Sequence, residues 1–312
     1  DFANLSPEDF TAEWKWDGIR AQAVRRADWH LWSRGEDLVT DRFPDLAPIS
    51  DFLPRGTVLD GEILAWDDGA PLPFARLQTR IGRKSLTKKA LSEAPALFMA
   101  YDLLEQDGRD LRAEPFAHRR AALESLIATL PALPLRLSPP VPFATMSDLA
   151  AARAAAPARK AEGLMLKRRG SAYGVGRKTG DWWKWKVEPM TVDAVMIYAQ
   201  AGHGRRANLF TDFTFAVRDG DALVPFAKAY SGLTDAEFAE ITDWVRANTL
   251  QRWGPVRQVP PEQVFELAFE GIQHSTRHKS GIALRFPRIL RWRHDKRADQ
   301  ADRLDTLKAL AR

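Results

Sequence analysis

Lys15-Trp16-Asp17-Gly18-Ile19-Arg20 is the stretch from which the rest of the chain can be read. It sets a lysine two residues ahead of a carboxylate, then a glycine, then an arginine. Alternate side chains of an extended segment share a face, so Lys15 and Asp17 are expected to point the same way. An amine near its reference pKa of about 10.4 is a poor nucleophile. Neighbouring cations or a metal favour the free lone pair and activate it. The same six residues on a surface turn would carry no chemistry, so the stretch takes its meaning from residues farther along the chain.

Three later stretches bear on it. In Leu59-Asp60-Gly61-Glu62-Ile63, period two puts Asp60 and Glu62 on one strand face, which suits ribose hydroxyls or Mg²⁺. In Glu162-Gly163-Leu164-Met165-Leu166-Lys167, the glycine admits a close backbone approach. Glu162 and Lys167 should face opposite sides of a regular strand, so serving one site requires an irregular strand start at Glu162. In Trp182-Trp183-Lys184-Trp185-Lys186, alternation turns two lysines one way and Trp183 and Trp185 the other. Two adjacent ammonium groups call for an anion between them, and a phosphate is the natural guest.

The elements around these stretches indicate an α+β chain in two parts. A hairpin is expected over Trp14 to Arg34, turning near Ala27-Asp28. Strands are expected at 58–66, 97–104, 162–167 and 181–187, and helices at 84–93, 118–130 and 147–156, with Pro131 to Pro142 as loop. After Glu188-Pro189 come strand candidates at 192–199, 211–217, 222–229, 264–270 and 282–292. One helix interrupts them, opened by the capping box Thr234/Glu237, and a final helix is expected over 298–311. Five strands and a helix in this span suggest a small OB-fold barrel, giving domains 1–189 and 190–312.

Composition narrows the class. The 312 residues contain no cysteine, which excludes disulfide scaffolds and thiolate chemistry. The net charge is only +5, but basic residues cluster at 71–92, 159–186 and 285–297, which points to a polyanionic partner. No apolar run approaches a membrane span, so a cytoplasmic protein is expected. The chain opens on Asp1 rather than methionine, and an upstream DNA-binding domain is expected to be missing from it.

Taken in order, these motifs resemble the ATP-dependent DNA ligases of the covalent nucleotidyltransferase superfamily, over nearly the whole chain. KWDGIR is similar to that family's nucleotidyl-lysine motif, and Trp32-Ser33-Arg34-Gly35-Glu36-Asp37 to its SRxGED-type segment, one residue shorter. LDGEI, Tyr101-Asp102-Leu103-Leu104, EGLMLK and WWKWK come next in family order. Leu284 to Arg288 and Arg293-His294-Asp295-Lys296 resemble the last motif. The resemblance implies an ATP-grasp-like nucleotidyltransferase (adenylation) domain followed by an OB-fold β-barrel domain. It implies ATP and Mg²⁺ (or Mn²⁺) as cofactors, nicked duplex DNA as partner, and a bacterial, nucleoid-associated monomer.

The same resemblance assigns roles. Lys15 attacks the α-phosphorus of ATP. Tyr101, where phenylalanine is common, stacks on adenine, and Glu13 borders the base. Arg20 and Glu62 hold the ribose side, Arg34 lines the nucleotide site, and Glu62 and Glu162 serve the metal. Lys184 and Lys186 grip the α-phosphate, with Lys167 as a phosphate or adenine-pocket contact. Arg293, Asp295 and Lys296 assist the first step when the OB domain closes over pyrophosphate. Arg83, Lys84, Arg285 and Arg288 contact DNA. An RNA ligase or capping guanylyltransferase of the same superfamily, and a non-catalytic OB-fold binding module, are the competing readings. Capping requires GTP, and binding alone needs no lysine nucleophile with carboxylates at this spacing.

Overall fold

The structure, a computed structural model, describes residues 6–83, 85–176 and 179–311. The chain divides after Val187 into two compact units.

Two sheets build the first unit. In one, four antiparallel strands run in the order Trp182–Lys186, Ala161–Arg168, Phe10–Trp16, Pro140–Val141. In the other, the order is Trp29–Ser33, Ile19–Arg25, Thr57–Asp67, Ala96–Gln106, Arg109–Asp110. Leu135–Leu137 joins the second sheet parallel to Ala96–Gln106. The expected hairpin is therefore confined to Ile19–Arg25 and Trp29–Ser33. The strand Phe10–Trp16 belongs to the other sheet, and the chain crosses between sheets at Asp17-Gly18. A Cβ on Gly18 would lie 2.3 Å from the Ile63 carbonyl oxygen and 2.8 Å from Glu62 Cγ. Only glycine lets the crossing pass so close to the neighbouring strand.

Apolar residues of both sheets and their helices fill two cores. Trp14, Trp16, Leu164 and Leu166 pack with Leu149 of the helix Met146–Ala155, and Trp183 and Trp185 cover them. Leu59, Ile63, Phe98 and Leu103 pack with Leu77 of Phe74–Ile81 and Leu123 of Phe116–Ala128. Two expectations need correction here. The proline-rich stretch carries two short strands, because Leu135 and Val141 are apolar enough to be buried at sheet edges. The helix Phe74–Ile81 lies within a stretch read as basic surface, and its Arg80 is 1% exposed and paired with Asp45 at 2.5 Å.

The second unit is an OB-fold barrel. Met190–Ala201 pairs antiparallel with Phe210–Asp219, Val256–Gln258 and Val264–Phe269. Ala222–Ala229 extends one side and Arg288–Trp292 the other. Phe213, Phe215, Phe265 and Phe269 fill the interior, where Phe238, Ile241 and Val245 of the helix Asp235–Ala247 meet them. Thr234 and Glu237 form the expected capping box. The single strand expected over 282–292 is two. Ile282–Arg285 pairs with Gly271–His274, while Arg288–Trp292 pairs with Val264–Phe269. Phe286, with φ at 51°, makes the break. The final helix is shorter than expected, at Leu304–Leu310.

Gly163 has φ at +144°, and a Cβ there would sit 2.2 Å from the Trp185 carbonyl oxygen. Gly163→Ala should therefore cost about 2 kcal/mol or more in unfolding free energy by urea titration. A loss below about 0.5 kcal/mol, the range of neutral surface changes, would contradict this account of the strand.

Candidate active site

Lys15 occupies the next-to-last position of its strand, and the neighbouring strands set its surroundings. Glu13 pairs with Met165, which pairs with Lys184, and Gly163 pairs with Lys186. Directly opposed residues share a face, so one sheet face carries Glu13, Met165, Lys184 and Lys186, with Lys15 two residues beyond Glu13. Glu162 joins them through an irregularity. Trp14 pairs with Leu164 but Trp16 with Ala161, so the register shifts beside Lys15. The extra residue turns Glu162 toward Lys15, which donates a hydrogen bond to it, and Lys186 Nζ lies 3.3 Å from the same carboxylate.

The second sheet supplies the opposite wall. Arg20 pairs in register with Glu62. Asp60, fully buried, accepts from Arg20 Nε at 3.2 Å and Nη2 at 2.7 Å. It also accepts from the Tyr101 hydroxyl at 3.2 Å and the Tyr173 hydroxyl at 2.7 Å. Tyr173 escaped sequence reading because it lies in a loop between motifs. The Tyr101 hydroxyl, absent from a phenylalanine, here ties the ring to Asp60. Arg34 comes just after the end of the neighbouring strand, and its backbone N–H donates to the Arg20 carbonyl at 3.1 Å.

Charge is distributed unevenly across the site. Burial pushes the Glu62 carboxyl up to about 8, with Lys15 pulling the other way. Burial also raises Glu162, but the ammonium groups of Lys15 and Lys186 overcome it and hold that carboxyl below its ordinary value. Lys184 is lowered by burial first, then by the positive charges of Lys15, Arg34, Arg20 and Lys186. A surface where Lys15, Arg20, Arg34 and Lys186 gather their charges around Lys184 is suited to an anion.

Beneath this surface lies a buried ionic network. Glu13 is 1% exposed and Lys167 2%. Lys167 donates to Glu13 Oε2 at 2.8 Å, and its Nζ sits 4.4 Å from the Tyr101 ring centroid, 4.7 Å from Trp182 and 5.0 Å from Phe116. Arg120 donates to Glu13 Oε1 at 2.7 Å. Its neighbour Arg119 binds both oxygens of Asp102, at 2.8 and 2.9 Å. Sequence reading missed both arginines, since consecutive charges on a helix read as solvated.

In the second unit Arg293 donates to both Asp295 oxygens, at 2.8 and 2.7 Å, and reaches Asp193 at 3.1 Å. Lys296 also pairs with Asp193. Asp193 was not foreseen, although it gathers the motif's two cations. Arg285 stacks over Phe286, with Cζ 5.2 Å from the centroid, and Arg288 lies 3.7 Å from Glu270. Arg83 lies 3.9 Å from Glu93, and Lys84 falls outside the described residues.

Glu162 accepts from Lys15, and the Lys15 charge also acts on Glu62. Among the described residues no group of three or more His, Asp or Glu could cage a metal. Mg²⁺ typically binds through one or two carboxylates plus substrate phosphates, so this pair fits a metal arriving with a nucleotide.

The first unit thus sets a strand lysine beside carboxylates and further cations, and an OB barrel follows it. Residues 1–186 match the ATP dependent DNA ligase domain, and residues 206–296 its C terminal region. The chain belongs to the ATP-dependent DNA ligase family. It is 39% identical to "Probable DNA ligase" of Koribacter versatilis, over 98% of this chain and 57% of that protein. It is 43% identical to "Probable DNA ligase" of Opitutus terrae, over 96% and 32%. The chain thus spans about half or less of these relatives. A solved Lig E DNA ligase superposes with a TM-score of 0.64 at 20% identity, covering 93% of this chain and 94% of that one; this likeness concerns the fold. The family implies ATP and a divalent metal in general terms. No helix among the described residues is long and apolar enough to cross a membrane.

A raised carboxyl pKa favours the protonated folded state. The stability this gives is complete below the ordinary value of 4.5 and is lost as pH rises through about 8. Glu62→Gln should therefore gain stability relative to wild type between pH 5 and pH 8, read by urea unfolding at both. An identical difference at the two pH values would refute the burial account.

Proposed function

We propose that this chain is the catalytic core of an ATP-dependent DNA ligase. The observation that carries the reading is Lys15 set against Glu162 and Lys186 on one side and Glu62 and Arg20 on the other. In the first step the Lys15 amine attacks the α-phosphorus of ATP. A P–N bond forms, the P–O bond to pyrophosphate breaks, and the lysine loses a proton. Glu162 is suited to orienting the amine, because it accepts from it before nucleotide arrives. Lys184 and Lys186 offset the charge that develops on the α-phosphate. Arg20, held by Asp60, and Glu62 bound the ribose side, while Tyr101 offers its ring to adenine and Glu13 its carboxylate to the base edge. Glu62 and Glu162 would hold the divalent ion, which when bound screens the phosphate charges. Arg293, Asp295 and Lys296 are assigned to this step from the second unit, with the pyrophosphate as their partner.

AMP then passes to the 5′-phosphate of a nick, and the 3′-hydroxyl displaces it to leave a sealed strand. Arg83, Lys84, Arg285 and Arg288 are the proposed DNA contacts. The phosphoramidate explains why a lysine is used, since it stores activated AMP until the nick is bound. The monomer, domains divided at 189/190, and a nucleoid location belong to the same reading.

The test is incubation with α-labelled ATP or GTP and Mg²⁺, followed by a denaturing gel and peptide mapping. Acid-labile AMP on Lys15, from ATP only and absent in Lys15→Ala, is the expected result. Label from GTP would make the chain a capping enzyme, and label retained in Lys15→Ala would remove Lys15 from its role. Binding to nicked duplex should weaken steeply with salt, and a flat response would count against the phosphate contacts.

A further inference from the structure

The helix Phe116–Ala128 carries two consecutive arginines that reach different parts of the first unit. Arg119 is spent on Asp102 and the carbonyls of Glu114 and Ser171. Arg120, 6% exposed, donates to Glu13 Oε1 at 2.7 Å, the Ser138 carbonyl at 2.6 Å and Glu124 Oε1 at 2.7 Å. Arginine is rarely buried unless paired, and a bare structural pair did not require this partner. Glu13 already has an ion-pair partner in Lys167 on its other oxygen.

The consequence is geometric. With Oε1 held by Arg120 and Oε2 by Lys167, the carboxylate plane of Glu13 cannot rotate. A carboxylate offers about four lone-pair sites, so two cations leave acceptor capacity whose direction is now set. The same Lys167 ammonium that binds Glu13 also contacts the Tyr101 ring. The fixed acceptor therefore stands at the border of the ring on which a purine would stack. An exocyclic amino group satisfies such an acceptor, whereas a hydrogen or carbonyl oxygen at that position does not. We infer that Arg120 is a positioning residue for base selectivity, locking the Glu13 carboxylate so that the purine pocket prefers a 6-amino group. The inference rests on the proposed adenylylation and on Glu13 bordering the base.

The experiment measures covalent labelling of the chain by ATP and by purine riboside 5′-triphosphate, which lacks only the 6-amino group. Wild type should show a KM for ATP lower by on the order of tenfold or more, as a hydrogen bond to a charged group would give. In Arg120→Met that ratio should fall toward one through a higher KM for ATP, with kcat changed less than about threefold, because Lys15 and Glu162 are untouched. Arg80→Lys, a buried arginine of the same unit paired with Asp45, should lower Tm and leave the ratio as in wild type. If Arg120→Met does not fold, Arg120→Lys serves instead. Its shorter ammonium cannot hold Glu13, Ser138 and Glu124 together, so the ratio should fall at least about threefold. A folded Arg120 variant that keeps the wild-type ratio overturns the inference alone. A wild type that labels but does not distinguish the two nucleotides overturns the placing of Glu13 at the base, and the inference with it. A wild type that does not label overturns both at their root.

Discussion

No side chain fits at residue 18, where the Ile63 carbonyl and the Glu62 stem close in on the backbone. That constraint organises the first unit. The strand that ends at Trp16 lies in one sheet and the strand that begins at Ile19 in the other. Two intervening residues therefore hold the sheets' active faces at a fixed spacing. Lys15 belongs to the first face, and Arg20 with its register partner Glu62 to the second. A wider turn would separate Lys15 from the groups opposite it.

The charges gathered around this crossing are expensive to bury, and the fold meets the cost with side-chain partners. Asp60 takes four hydrogen bonds from three side chains. Asp102 is bound on both oxygens by Arg119, and Glu13 lies between two cations. Removing one member of such a network strands the other in a poorly solvating interior, which destabilises more than the pair itself contributes. Lys15, Arg20, Glu162, Lys184 and Lys186 keep access to solvent. Buried ions thus set positions, and half-exposed ions stay open to solvent.

Strand periodicity made much of this legible in the sequence. Alternation in 182–186 correctly divided Lys184 and Lys186 from Trp183 and Trp185, and the need for an irregularity at Glu162 came from counting five residues to Lys167. The capping box at Thr234 was equally local. The features that escaped were non-local or depended on a single backbone angle. The hairpin is shorter than its pattern suggests because nothing in Trp14 to Arg20 says that the chain changes sheets. Phe286 split one expected strand in two through a positive φ that its residue type does not advertise. Arg80 and Arg119 read as surface because their acids lie 35 and 17 positions away, and Arg120 because its buried partner Glu13 lies 107 positions away. Tyr173 and Asp193 lie outside the recognised motifs, and only the folded chain brings them to Asp60 and Arg293.

Gly163 and Lys15 stand near one another yet answer to different demands. The backbone angle at residue 163 and the nearby Trp185 carbonyl exclude a side chain whether or not the chain catalyses anything. Lys15, about one-fifth exposed, supports no core. On the proposed reading, a lineage released from adenylylation could exchange Lys15 without disturbing a core while remaining bound to the glycine. Among descendants of such a chain, Gly163 would record that the sheet still folds, and the residue at position 15 would record whether the chemistry survives.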